Sequence, residues 1–549
     1  MRGILHKLTI VAVAVAPVQA LHAQQSADQL KEAAFAEVDR NADRMGRLSD
    51  AIFSYSEIGF QEFKTIDLVT RELTRAGFQV TKGVAGMPTA YVARYGSGGP
   101  VIGLMSDFDG VPGASQRPTA LAHDPVVPGA PGHGEGHNTH QPTLLGAALA
   151  FKVLKDKYHI PGTLVVYGGP AEELLASRGY MTKAGLFRDV DAMMDVHIGT
   201  SFGVTYGLNN FANVSVQWTF HGRSAHGARP WQGRSALDGV ELLDAGVNMM
   251  REHGYDPEDA RVQNVIPDGG KQPNVVPYEA TDWYYIRAKS PELVRNILGW
   301  MRDIANDAAH STQTQVSERI LSGSWPFNGN RALAELVDAN IQRVGMPRWS
   351  ADDIAFARAV QTSMGAPVTG LPTEVSPLSS DRQGSSTSDA GDISWNLPYV
   401  RIFIPAKPAG ELAGHHWSAA LGPATPIAHK GIVVGSKALI ASVVDLMTDP
   451  GRLEAIKADW RQQMAAYPKW ESLIPDGAQP PIFLNTEEMA RYRAALAKFE
   501  YDPNSRQTYL QFMGATYPPA MPDSAIGRAS NVPAPTAVKS SIDWDWEAK

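Results

Sequence analysis

Three histidines and a glutamate fall within eight residues of one glycine-rich stretch, His133-Gly-Glu135-Gly-His137-Asn-Thr-His140. Glycines between the side chains let the backbone fold tightly, and imidazoles with a carboxylate are donors for a divalent ion. A second cluster is the pair Glu172-Glu173, placed just after an apolar run and Gly168-Gly-Pro. Adjacent carboxylates ordinarily repel each other and mark an exposed helix start. At a strand end, however, one can bind a metal while its neighbour faces the attacking water, the metal charge offsetting the repulsion. Asp107 and Asp109, Asp195 and His197, and His415-His416 complete the set of chemistry-bearing clusters.

Four strand-like runs carry these clusters: 101–105 before Asp107, 163–168 before Glu172, 192–197 ending in His197, and 400–405 before His415. In an open α/β sheet the carboxyl ends of the strands share one edge, and ligands bind there. The clusters are therefore expected to converge. The stretch from about 26 to 199 alternates helix and strand, which reads as α/β with a mainly parallel sheet. From 211 to 322 the order becomes strand 214–220, helix 235–250, strands 262–267 and 281–288, helix 291–309 and strand 315–321. That βαββαβ order is ferredoxin-like. The α/β pattern then resumes with strand 400–404 and helix 431–447, so the small domain reads as an insertion. The expected division is 1–23 signal peptide, 24–208 and 323–450 catalytic domain, 209–322 inserted domain, and 451–549 C-terminal extension.

Composition sets further bounds. The chain has 549 residues, 44% hydrophobic and 19% charged, enough for at least two packed domains. A formal charge of -8 gives no basic footprint for nucleic acid. Arg2 and Lys7, the apolar run 8–16, and Ala20 and Ala23 have the layout of a secretory signal. An exported, periplasmic protein is therefore the expectation, and the apolar run is too short for a membrane span. With no cysteine in the chain, a metal must be held by His, Asp and Glu.

Taken in order, several motifs resemble one family. They are Ser106-Asp-Phe-Asp-Gly-Val-Pro, Pro131-Gly-His-Gly-Glu-Gly-His-Asn, Pro170-Ala-Glu-Glu, Asp195-Val-His197 and Gly222-Arg-Ser-Ala-His226-Gly-Ala-Arg-Pro. Pro273-Asn-Val-Val-Pro, Asp282-Trp-Tyr-Tyr-Ile-Arg287, Ser386-Thr-Ser-Asp-Ala-Gly-Asp-Ile-Ser-Trp395, His415-His-Trp and Ala428-His-Lys-Gly follow. The set resembles the aminoacylase and glutamate-carboxypeptidase family of co-catalytic metallohydrolases, in particular its amidohydrolases of the aminobenzoyl-glutamate hydrolase type. The resemblance implies two divalent ions, manganese or zinc, held by Glu135, His137, Glu173, His197 and His415, with His416 as the fallback for His415. It implies Glu172 as general base, Asp109 and also Asp107 as carboxylates that orient the ligands, and His226 as an oxyanion donor reaching a partner copy. Asn274 and Arg287 become the candidates for the substrate carboxylate, Arg287 because its planar fork pairs bidentately. Close relatives carry cysteine where this chain has Glu135, which moves the site toward harder metals.

The implied activity is hydrolysis of an amide bond in an N-acyl or N-aroyl amino acid, or a dipeptide-like substrate, with a free carboxylate. The expected partners are that small-molecule amide and a second copy of the chain. The alternative is a relative that binds metal or peptide without turnover, against which Glu172 argues, since a pure binder has no use for a base. A serine hydrolase would need a Gly-x-Ser-x-Gly elbow between strand and helix, and Gly384-Ser385-Ser386 sits in a loop instead.

Overall fold

The computed structural model describes residues 26–412 and 414–520. The expected signal peptide, 1–23, and the end of the C-terminal extension lie outside the described residues. The strands of the first half are β1 (Gln79–Lys82), β2 (Tyr91–Gly96), β3 (Val101–Ser106), β4 (Thr163–Gly168), β5 (Ala192–Gly199), β6 (Gly203–Asn209) and β7 (Ala212–His221). Those of the second half are β8 (Ala260–Asp268), β9 (Glu279–Ala288), β10 (Gln315–Ser324), β11 (Phe327–Gly329), β12 (Ser379–Ser380) and β13 (Tyr399–Pro405).

The large sheet runs β1-β2-β4-β3-β5-β13-β6-β11, with β12 beside β6. Its centre, β4-β3-β5-β13, is parallel, and the pairings of β1 with β2, β2 with β4, β13 with β6 and β6 with β11 are antiparallel. The central strands lack polar alternation because both faces are covered, as in Thr-Leu-Val-Val-Tyr-Gly of β4, buried throughout. On one face lie the helices Ala27–Arg40, Ala42–Tyr55, His140–Tyr158 and Pro426–Thr448. The last of these is the one helix among the described residues long and apolar enough to cross a membrane. It is instead a core helix, with Ile432, Leu439, Ile440 and Val443 fully buried.

Strands β7–β10 form a separate antiparallel sheet in the order β10-β7-β9-β8, inserted between β6 and β11. Helices Ala236–His253 and Pro291–Thr312 pack against it and build a second core around Trp218, Tyr284 and Ile286. Beyond 450 the chain forms the helices Pro450–Met464 and Thr486–Leu496. This extension is more than peripheral, because Leu453, Ile456, Tyr501 and Tyr509 enter the core of the large domain.

Candidate active site

The site is built at the carboxyl edge of the parallel strands. Asp109, just past β3, is fully buried and accepts the backbone N–H groups of Glu172 (3.2 Å) and Glu173 (3.1 Å). One carboxylate thereby fixes the turn after β4 that presents both glutamates. The same Asp109 faces His137 Nδ1 at 3.4 Å. Gly136 separates Glu135 from His137 and has a φ of +74°; a Cβ there would lie 2.5 Å from Ile198. Glycine at this place lets both flanking side chains reach one cavity.

Hydrogen bonds settle which imidazole nitrogens are free. His197 Nδ1 faces the carbonyl of Ile198 at 3.0 Å, as His137 Nδ1 faces Asp109, so each keeps Nε2 for the cavity. His415 Nε2 lies 3.0 Å from Glu173 and 3.5 Å from Glu135. Donor atoms of Glu135, His137 and His197 lie within 4.8 Å of one another, and so do those of His137, Glu172 and Glu173. Glu173 Oε1 is buried with no hydrogen-bond partner. An orphaned carboxylate oxygen beside converging imidazoles suits a pair of divalent ions, which would supply the missing partners.

His140 and His133, from the same glycine-rich stretch, do not join this set. His140 donates from Nδ1 to Asp107, and its Nε2 accepts the N–H of Ile198 (2.9 Å), so neither nitrogen remains for an ion. His133 bonds the carbonyl of Ile52 (3.1 Å) in the core beside Phe53. His416 turns away and bonds Ser418 at 2.9 Å.

Nothing in the sequence singles out Arg178, yet it stands at the centre of the charge network. This fully buried guanidinium donates to Asp107 (3.0 Å) and to Asp389, and lies 3.5 Å from Glu172 Oε1 and 3.6 Å from Asp195. Asp389 also accepts the backbone N–H groups of Ser177 (2.9 Å) and Arg178 (2.8 Å). Asp195 is held by Tyr399 (2.8 Å) and Arg401 (2.7 Å) from the neighbouring strand. Burial pushes the Glu172 carboxyl up to about 8; Arg178 opposes the rise, while Asp107, Asp389 and Glu173 add to it. A raised value makes the ionised carboxylate the stronger proton acceptor, and cations held by the neighbouring donors would favour that ionised form, the one a general base uses. Burial, aided by His140, Arg401 and His137, keeps His197 well below the usual histidine range and therefore neutral, the form that binds metal.

A cavity of about 340 Å³ opens over these groups. Arg287, from β9 of the inserted sheet, lines it together with Glu135, His137, Glu172, Glu173, His197 and His415. His226 and Asn274 are elsewhere. They meet in one exposed loop pair, where Gly227 N–H donates to the carbonyl of Asn274 (2.7 Å), and neither lines the cavity.

Residues 103–421 match the model of peptidase family M20/M25/M40. A subunit of the p-aminobenzoyl-glutamate hydrolase of Escherichia coli (strain K12) is 32% identical over 471 residues, covering 81% of this chain and 97% of that protein. The chain belongs to the M20/M25/M40 peptidase family. It is accordingly a hydrolase of amide bonds with a site for two metal ions. The Xaa-Arg dipeptidase of Mus musculus, another relative of this M20-family chain, is 26% identical over 61% of the chain and 76% of its own length. The crystal structure of an aminobenzoyl-glutamate utilization protein from Klebsiella pneumoniae shares the fold, with a TM-score of 0.51 and 18% identity over 74% of this chain and 97% of that one.

Proposed function

We propose that this M20-family chain hydrolyses the amide bond of N-acyl or N-aroyl amino acids, or dipeptide-like amides, that carry a free carboxylate. The observation that carries this reading is one cavity shared by Glu172, the converging metal donors and Arg287. Glu135, His137, Glu173, His197 and His415 would hold the ions, and carboxylate with imidazole donors favour manganese or zinc. When bound, such ions supply Lewis acidity to the scissile carbonyl and make water a better nucleophile. Glu172 accepts a proton from the water as its oxygen bonds to the carbonyl carbon. It returns that proton to the leaving nitrogen as the C–N bond breaks, which releases a carboxylic acid and an amine. Arg178, beside Glu172, holds the base in place, and Arg287 pairs with the substrate carboxylate.

His226 is assigned to the cavity of a second copy, where it would donate to the developing oxyanion. Its exposure and its place outside its own cavity support this reading, which makes the enzyme a homodimer or larger. Export to the periplasm, with removal of residues 1–23, rests on the signal-like N-terminus. The test is a panel of N-acyl and N-aroyl amino acids, assayed with and without chelator. Chelator-sensitive cleavage is the expected result. A metal-replete enzyme that cleaves nothing across the panel would overturn the proposal.

A further inference from the structure

The cavity has a wall that the hydrolytic chemistry does not use. Beyond the metal donors, strand β6 with the residue after it and the loop after β12 contribute Thr205, Asn209, Asn210 and Asp381. Asp381 is built into this wall. Its N–H donates to the carbonyl of Tyr206 (2.7 Å), continuing the β12–β6 pairing, and its Oδ2 accepts the Thr205 hydroxyl (2.8 Å). The groups that hold the carboxylate, Thr205 and Asn209, are both neutral. Burial without a nearby cation pushes its carboxyl up, against those two hydrogen bonds.

Arg287 is the counterpart on the inserted sheet. Its Nε is buried without a partner, and the nearest aromatic face, that of Tyr285, lies 5.6 Å away. The other cavity arginine, Arg401, differs in being neutralised by Asp195 at 2.7 Å. Apart from the metal donors and Glu172, the cavity thus offers one cation without an ion-pair partner among the described residues, Arg287, and one carboxylate held only by neutral groups, Asp381, on walls contributed by different sheets.

We propose that Asp381 recognises an amino group on the acyl side of the substrate, so that the preferred substrates carry a carboxylate at one end and an amine at the other. This inference rests on the hydrolytic reading above, with Arg287 as the carboxylate partner. The physical reason is desolvation. An apolar acyl group that covers Asp381 strips water from a carboxylate and returns nothing, whereas an ammonium or amine restores a charge-assisted hydrogen bond. Sites built to bond a polar group discriminate strongly against analogues that lack it, because their own group is left unpaired.

The test keeps the ring constant and changes only its substituent: benzoyl-, aminobenzoyl- and aminomethylbenzoyl-glutamate, each substituent in the 3- and 4-positions. The metal-loaded full-length enzyme is expected to show kcat/KM rising in that order, by about tenfold or more from benzoyl to the better aminomethyl isomer. Asp381→Asn should bring the ratio close to one, and Asp381→Lys should turn the preference toward a carboxybenzoyl substrate. Using each variant's own ratio removes any loss of folded enzyme from the comparison. Equal rates for all rings in the wild type, or a ratio unchanged in Asp381→Asn, overturn this inference and leave the hydrolytic reading standing. No cleavage of any of these substrates by the loaded wild type overturns both.

Discussion

The carboxyl edge of the large sheet and the exposed end of the inserted sheet carry candidate residues of similar chemical type but differ in how they are held. At the first, charged side chains fix one another: Asp109 holds the Glu172-Glu173 turn, and Arg178 ties Asp107 to Asp389. At the second, the His226 and Asn274 loops are exposed and meet through backbone contacts. Parallel strands bring their ends to one edge whatever the loops do. On the inserted domain Arg287 reaches the cavity, whereas the His226 loop lies outside it and would gain a place at a cavity from closure or from a partner. Convergence within one chain therefore speaks for the metal and base residues, and the role proposed for His226 depends on a second copy.

Glu172→Gln is the largest expected effect, a fall of about 10²–10⁴ in kcat with KM and metal content little changed. Metal analysis beside steady-state kinetics reads both. A fall in metal content of the same size would make Glu172 a ligand and blur its distinction from Glu173. His226→Ala is expected to lower kcat by about 10²–10³, the usual cost of losing an oxyanion donor. Mixing it with Glu172→Gln should restore activity if each variant lends its intact residue to the other's copy. Absence of recovery in the mixture removes the contrast between the two regions as drawn.

Arg178→Met probes the interlocked side. Removing a buried cation from several carboxylates is expected to destabilise the fold by about 3–5 kcal/mol, with Arg178→Lys recovering part of it in thermal unfolding. An unchanged melting temperature would show that those carboxylates do not depend on Arg178. Asp392 gives a smaller, pH-dependent effect. This carboxyl accepts the N–H of Trp325 (2.8 Å) and the indole of Trp470 (3.1 Å), and burial raises it to about 7. Its folded value lies above its unfolded one, so the folded chain binds the extra proton. The stability it contributes is complete below about pH 4 and is lost as pH rises through about 7, by at most about 4 kcal/mol. Asp392→Asn should flatten that part of the stability profile.

The central strands were legible because buried parallel strands are written as apolar runs, and the inserted domain because its element order is distinctive. The candidate ligands were legible by type and place. Which histidines remain free was not, since His133, His137 and His140 look alike until hydrogen bonds commit His140 to Asp107 and His133 to Ile52. Arg178 left no signal, being a lone arginine whose partners Asp107 and Asp389 come from distant segments. Asp389 lies inside a recognisable motif without an evident role, and only contact with Arg178 supplies one. Asp381 escaped because a loop carboxylate is ordinary until its cavity is known.

The presence of Glu135 among imidazoles and carboxylates, in a chain without cysteine, bears on durability. Peroxide and disulfide exchange inactivate thiolate metal sites by climbing the sulfur oxidation ladder. Here the candidate donors are all oxygen and nitrogen, so an oxidant would find no ligand sulfur to attack.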